Sequence, residues 1–134
     1  MAKESGLGMT VTIDDAAAAP QAITNDVTNL NFATPRGVYD WTGVDKLAPE
    51  RGLGLADYQI TLNGPFNDAA NMSHAVFKTV CSTNVIRTTA LALSGQTLTA
   101  EVAFSDYAFT RAQDGSFNWT ATGANGSGGV PAWS

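Results

Sequence analysis

The side chains that could take part in catalysis are few, and their spacing does not favour a reactive site. The chain has one histidine, His74, and one cysteine, Cys81, on roughly the same face of a predicted helix. A cysteine and a histidine in hydrogen-bond contact would suit nucleophilic catalysis. Two helical turns, however, separate these residues by about 10.5 Å, which is too far for direct proton transfer. We therefore interpret them as a partly buried histidine and a small apolar cysteine.

Metal and nucleotide sites lack their usual motifs. Asp14 and Asp15 are adjacent on a predicted strand, so their carboxylates point to opposite faces, and no EF-hand spacing follows. A single cysteine excludes an internal disulfide and a cysteine-cluster metal site. Gly52 and Gly54 begin a Gly-x-Gly sequence, but Asp57 stands where a dinucleotide-binding motif has its third glycine. We predict no cofactor, no metal and no catalytic residue, and hence a protein that is not an enzyme.

Length and charge restrict the class of protein further. A chain of 134 residues suits one domain that can bury a core without disulfides. Twelve acidic residues outnumber seven scattered basic ones, whereas proteins that grip duplex DNA cluster lysine and arginine. No apolar run approaches the roughly 18 residues of a membrane span, and no signal peptide is recognisable. We expect a protein made in the cytoplasm that neither binds DNA specifically nor enters a membrane.

The elements that position these residues are mostly strands. Apolar residues alternate with polar ones over residues 9–14 and 57–63, which is the period of a half-buried strand. Residues 85–93 and 97–106 predict a long hairpin that turns at Ser94–Gln96, and a second hairpin is predicted around Asp114-Gly115. The predicted fold class is mainly β: a β-sandwich or barrel.

One segment departs from this alternation. Residues 67–80 place Ala70, His74 and Phe77 at helical spacing, with Asn67 suited to cap the N-terminus and Lys78 suited to the C-terminus. We predict a single helix over 67–80 that flanks the sheet. The remaining organisation is a β domain over residues 1–122, with an N-terminal arm at 1–10, a long loop at 34–54, and a flexible Gly-rich tail at 123–134.

The long loop is the segment most suggestive of function. Loops longer than about 12–15 residues in compact domains are usually functional or disordered. This loop mixes apolar residues with single charges, a composition that suits a protein–protein contact: Val38, Tyr39, Trp41, Val44 and Leu47. The alternative is a surface loop that folds back on its own core.

The order of segments carries a family resemblance over residues 6–123. It consists of GLGMTVTIDD, then ITNDVTNLNFATPRGVYDWTGVDKLAPER, then LADYQITLNGPFNDAANMSHAVFKT, then RTTALALSGQTLTAEVAFSDYAFTR, and finally DGSFNWTATG. The most specific blocks are Thr34–Lys46 and Leu62–Thr79. In this order and coverage the chain resembles the major tail proteins, or tail tube proteins, of long-tailed non-contractile bacteriophages and of phage-derived gene transfer agents.

The resemblance implies a structural protein of the virion tail, assembled in the host cytoplasm. Such proteins form hexameric rings that stack into a hollow tube, through which the genome passes without specific binding. Implied partners are further copies of the chain and the tape-measure, tail-tip and tail-terminator proteins. The arm and the loop become the expected contacts between subunits and rings. The residues expected there are Leu7, Met9, Arg36, Val38, Tyr39, Trp41, Val44, Asp45, Lys46, Leu47, Arg51, Arg87 and Arg111.

An acidic lumen would repel the phosphate backbone and let DNA slide. Asp57 and Glu101 are the residues expected to face it, because each is predicted on the polar face of a strand. The alternative is that these carboxylates lie on the outer surface and serve only solubility.

Other functions remain open at this point. A tube protein of a contractile injection machine would share the fold but need a sheath. A head-decoration or head–tail completion protein would form rings or knobs without polymerising. A monomeric β-sandwich binding module would use Tyr39, Trp41 and Trp119 as an aromatic platform.

Overall fold

The secondary structure is dominated by antiparallel strands, as the computed structural model of the chain describes it for residues 5–134. Two short helical segments occur in this range: a 3-10 turn at Thr24–Asp26 and helix α1 at Ser73–Phe77. The ten strands in the same range are β1 Thr10–Asp14, β2 Pro20–Ala22, β3 Asn29–Ala33, β4 Arg36–Asp40, β5 Arg51–Ala56, β6 Gln59–Pro65, β7 Arg87–Leu93, β8 Gln96–Arg111, β9 Phe117–Asn125 and β10 Ala132–Trp133. The predicted mainly β class is confirmed.

The main sheet is organised around the 16-residue strand β8, and its order is β2-β1-β7-β8-β9-β6-β3. The first half of β8 pairs with β7 and the second half pairs with β9, with a register shift between Phe104 and Asp106. A bulge of this kind bends a strand and increases its twist. Side chains from both halves of the sheet belong to one buried cluster, so the sheet encloses a single core.

The alternation predicted from the sequence supplies that core. Most inward-facing residues of the predicted strands are buried, and Thr and Ala are common at the outward positions between them. The buried strand residues include Val11, Ile13, Ile60, Leu62, Leu98, Ala100, Val102, Trp119 and Ala121. Trp119 is fully buried, so it cannot belong to the exposed aromatic platform expected for a binding module, and the prediction is wrong for this residue.

The predicted helix over 67–80 is too long, since α1 covers only Ser73–Phe77. Before it, the Asn67 side chain accepts a hydrogen bond from the Ala69 N–H, and Asn71 has a φ of 63°, so the backbone is not helical there. The N-terminus of α1 is held instead by Asp26, whose Oδ2 accepts the Ser73 N–H at 3.0 Å. Asp26 thereby supplies from a distant segment the cap expected of Asn67.

The C-terminal segment is more ordered than the sequence indicates. Strand β9 continues through Asn125, and β10 pairs antiparallel with the first half of β8 beyond the end of β9. The Trp133 ring lies 6.4 Å from the Phe32 ring of β3. The tail predicted at 123–134 therefore contains strand residues at 123–125 and 132–133, because the unpaired edge of β8 gives its end backbone partners.

Candidate assembly surface

The predicted loop over 34–54 is a two-stranded hairpin. Strands β4 and β5 pair antiparallel, and within residues 5–134 they form a sheet separate from the main one. The Arg36 guanidinium donates hydrogen bonds of 3.0 and 2.8 Å to the Gly54 carbonyl across the pair. Beyond the strands, the Trp41 N–H donates to the Glu50 carbonyl at 3.1 Å. The expectation of an irregular loop is wrong, and we call residues 36–56 the assembly hairpin.

One face of the assembly hairpin is built from aromatic rings that lie over glycines. A Cβ atom at Gly52 would meet the Trp41 ring at 1.8 Å, and a Cβ atom at Gly54 would meet the Tyr39 ring at 2.5 Å. Only glycine permits so close an approach of a ring to the opposite strand. The two rings are thus fixed in place, while Tyr39 and Trp41 keep more than half of their surface exposed.

The other face of the assembly hairpin is aliphatic. Val38 lies opposite Leu53 in the register, and Leu55 follows on the same face. All three are exposed, Leu55 to 89%. Leu53 and Leu55 are not among the contact residues expected from the sequence, although the alternation of glycine with leucine in RGLGLA is a pattern that could have identified them.

The tip of the hairpin carries its most exposed side chains. Val44 is 108% exposed and Leu47 is 106% exposed, so neither is covered by its own subunit. A turn at Gly43–Lys46, in which the Lys46 N–H donates to the Gly43 carbonyl at 3.1 Å, presents them. The alternative that the loop folds back on its own core is therefore wrong.

Several exposed charged side chains lie on the assembly hairpin, among its exposed apolar residues. Hydrogen bonds from the Thr42 hydroxyl and N–H lower the pKa of Asp40, and the Glu50 N–H in turn donates to the Thr42 hydroxyl at 2.7 Å. Asp45, Lys46 and Arg51 are also exposed, the last on β5 opposite Asp40. Isolated two-stranded hairpins are marginally stable, and contiguous exposed apolar patches usually mark interaction sites. The geometry therefore suits a hairpin that is covered in an assembly.

Of the remaining residues expected at subunit contacts, some are exposed and others pack inside their own subunit. Leu7 is 86% exposed, whereas Met9 packs against the core of its own subunit. Residues 1–4 of the predicted arm lie outside the described residues. Arg111 is exposed at the end of β8, far along the strand from the pairing with β7.

Arg87 is buried inside the subunit, so the expectation that it lies at a subunit contact is wrong. Its side chain is only 1% exposed. Its guanidinium donates to the carbonyls of Val76 at 2.6 Å and Asp14 at 3.0 Å, and to the Thr79 hydroxyl at 3.3 Å. Burial lowers its pKa, against the opposing effect of Asp15 and Asp14. Arg87 thus ties strand β1 to α1 inside the subunit and is not available to a neighbour.

The two carboxylates expected in the lumen flank one end of strand β9. The Asn125 N–H donates to the Tyr58 carbonyl, next to Asp57, and the Gly126 N–H donates to the Glu101 carbonyl, both at 2.9 Å. Both acidic residues are partly exposed. The Glu101 carboxylate also accepts a hydrogen bond of 2.8 Å from the Thr88 hydroxyl. The structure therefore brings these acidic residues to the same end of the sheet.

A second apolar surface, which is not among the expectations from the sequence, lies at the opposite end of β8 and β9. The rings of Phe109 and Phe117 stack 5.1 Å apart, and Phe66 packs on both. The three rings are each about 40% exposed. His74 adjoins them, 4.9 Å from the Phe66 ring, with its Nδ1 3.1 Å from the Tyr107 hydroxyl. Phe109 and Phe117 flank the Asp-Gly turn in the sequence, which is the signal that could have indicated this cluster.

The part of the chain that the structure describes contains no group of three or more His, Cys, Asp or Glu side chains that could hold a metal ion. None of its helices is both long enough and apolar enough to span a membrane. His74 and Cys81 line the same small pocket beside α1.

Comparison with known proteins identifies solved structures that share this fold. No protein-family model and no curated protein matches the chain. A chain of the tail of an empty gene transfer agent particle, refined helically with C6 symmetry, has a TM-score of 0.80 at 13% identity, covering 98% of this chain and 99% of that one. A chain in the virion of a native gene transfer agent particle gives 0.79 at 12% identity, with the same coverage. A chain of the six-fold symmetrised baseplate of the anti-feeding prophage gives 0.67 at 9% identity, covering 100% and 97%.

At these identities the comparisons show the fold. The chain shares, over nearly its full length, the fold of proteins found in these tail and baseplate particles. The fold that the resemblance in the order of sequence segments implies is thereby confirmed.

Proposed function

We propose that this chain is the repeating subunit of a virion tail tube, which forms hexameric rings that stack into the channel for genome delivery. The observation that carries the proposal is the likeness to a protein of a helically refined, C6-symmetric tail, which covers 98% of this chain and 99% of that one. A self-assembling structural role also agrees with the exposed assembly hairpin. In this role the protein is not an enzyme and belongs to the virion tail.

Stacking needs an interface between two different surfaces of one chain. A heterologous contact that repeats from ring to ring does not close on itself and therefore generates a filament. The assembly hairpin supplies one such surface, since its large apolar side chains are more than half exposed in the subunit. The subunit contacts in this proposal are Leu7, Arg36, Val38, Tyr39, Trp41, Val44, Asp45, Lys46, Leu47, Arg51 and Arg111.

Asp57 and Glu101 are the proposed lumen residues. Their position at one end of the sheet supports a common orientation, and their charge would repel DNA in transit. The further partners proposed are the tape-measure, tail-tip and tail-terminator proteins. Replacing Asp57 with Asn and Glu101 with Gln together should slow DNA release from assembled particles, and unchanged release would remove both residues from the lumen.

The experiment that tests the proposal is negative-stain electron microscopy of the purified protein across a concentration series. Hollow tubes of uniform diameter with regular cross-striations are expected, either spontaneously or after seeding with a tail-tip complex. Discrete rings that never stack, even when seeded, would favour a head–tail completion or head-decoration protein. Monomers under all conditions would favour a binding module. A baseplate chain shares the fold as well. A contractile injection machine is the second candidate, which a bound sheath protein would identify.

A further inference from the structure

A small apolar pocket opens between α1 and the second half of β8. Its volume is about 220 Å³, and its walls are formed by Phe77, Val80, Tyr107 and Phe109. Pockets for small-molecule ligands usually measure about 300–1,000 Å³. This pocket is therefore too small for a typical ligand but is of the right size for one protruding side chain.

The walls of the pocket are held in place by ring packing. The Phe77 and Tyr107 rings lie 5.5 Å apart, and the Tyr107 and Phe109 rings meet edge to face at 4.6 Å. The contact between the Tyr107 hydroxyl and His74 Nδ1 fixes the Tyr107 side chain further. A pocket with such walls exists before anything occupies it, so an occupant does not have to order it.

The mouth of the pocket carries one charge of each sign. Lys78 follows α1 directly, Asp106 lies on β8, and both are exposed. The tip of the assembly hairpin presents the complementary arrangement. Its two uncovered aliphatic side chains, Val44 and Leu47, enclose Asp45 and Lys46 in the sequence.

We propose that the hairpin tip of one copy inserts Leu47 into this pocket of another copy, with Lys46 beside Asp106 and Asp45 beside Lys78. The inference rests on the proposed tube, which requires a heterologous contact between two different surfaces of the chain. A fully exposed aliphatic side chain and a preformed apolar pocket of matching size, each bordered by opposite charges, provide such a pair.

The native cysteine gives a direct test, because Cys81 lines the pocket and is exposed. A Leu47→Cys variant is assembled into tubes and treated with a thiol crosslinker of minimal length. Every subunit then has one reactive thiol at the tip and one at the pocket. The expected result is a ladder of covalent multimers after denaturation. The ladder should disappear when Cys81→Ser is added, and an Ala16→Cys control at another exposed position should give none.

The outcomes separate this inference from the proposed function. Tubes that form without a ladder would overturn the docking and leave the tube function standing. Dimers that persist in the Leu47→Cys, Cys81→Ser double variant would show a tip-to-tip contact and also overturn the docking. Failure of the unmodified protein to form tubes under any seeding condition would overturn the tube function and the docking with it.

A charge exchange keeps Leu47 intact and provides the second measurement. Lys46→Glu should raise the critical concentration for assembly about three- to tenfold, since it places two acidic groups together at the rim. Adding Asp106→Lys should return the critical concentration toward that of the unmodified protein, whereas adding Asp114→Lys, at a different exposed position, should not. Equal behaviour of the two double variants would contradict the assigned pairing.

Discussion

A double variant of the hairpin tip, Val44→Ser with Leu47→Ser, can separate an effect on assembly from an effect on folding. Both side chains are fully exposed in the isolated subunit, so their replacement removes no buried contact. Surface substitutions of this kind usually change the free energy of unfolding by less than about 0.5 kcal/mol. The urea midpoint and the circular dichroism spectrum of the monomer should therefore match those of the unmodified protein.

Assembly should respond very differently. Full burial of a valine or leucine side chain stabilises a contact by about 1.5–3 kcal/mol, so two such side chains contribute about 3–6 kcal/mol. A factor of ten in affinity corresponds to about 1.4 kcal/mol, and the critical concentration should therefore rise at least about a hundredfold. Light scattering and sedimentation across a dilution series, with microscopy of the pellet, measure this concentration directly.

A matched control distinguishes the hairpin tip from apolar surface in general. Val130 is 75% exposed but lies outside the hairpin, so Val130→Ser makes the same chemical change elsewhere. It should leave the critical concentration within a fewfold of the unmodified value. An unchanged critical concentration in the Val44 and Leu47 double variant, with a folded monomer, would refute the reasoning that the hairpin is uncovered because it belongs to an interface.

Three further predictions concern the subunit itself. Asp26→Ala should lower the free energy of unfolding by about 2–4 kcal/mol, because it leaves the buried Ser73 N–H without an acceptor; urea denaturation measures this, with the exposed Asp45→Ala as control. In the same assay, Arg87→Met should lower the free energy of unfolding by about 2–4 kcal/mol, because the carbonyls of Asp14 and Val76 lose their hydrogen-bond donor. Burial raises the pKa of Tyr58 to about 12, and burial together with nearby Asp26 raises the pKa of Tyr107 to about 12. Because these pKa values exceed that of an unfolded tyrosine, the stabilisation is complete below pH about 10 and is lost as the pH rises toward 12. Unfolding at graded alkaline pH should show this loss, and Tyr58→Phe should reduce it.

The strands and most of the core were predictable because alternation is a local property of the sequence. In β8 the alternate residues Leu98, Ala100, Val102 and Phe104 lie within the strand predicted at 97–106, and all four are buried. The helix bounds were not predictable in this way. The cap of α1 comes from Asp26, 47 residues away, and no local pattern reports such a contact.

Arg87 illustrates a second limit of sequence reasoning. Arginine is rarely fully buried, so its residue type favours a surface position. Its burial depends on carbonyl acceptors from separate segments, one of them 73 residues earlier in the chain. The hairpin was missed for a related reason, since Gly52 and Gly54 indicate a flexible loop until the rings that cover them are known.

The construction of the hairpin explains how a stable subunit can leave so much apolar surface uncovered. None of the hairpin side chains belongs to the buried cluster, so the core does not depend on them. The Trp41 and Tyr39 rings over Gly52 and Gly54, together with the Arg36 hydrogen bonds, restrain the hairpin before a partner arrives. Association therefore loses less conformational entropy than the ordering of a flexible loop would cost. Selection for assembly can then act on the hairpin surface while selection for folding acts on the sheet, because the two sets of side chains do not overlap.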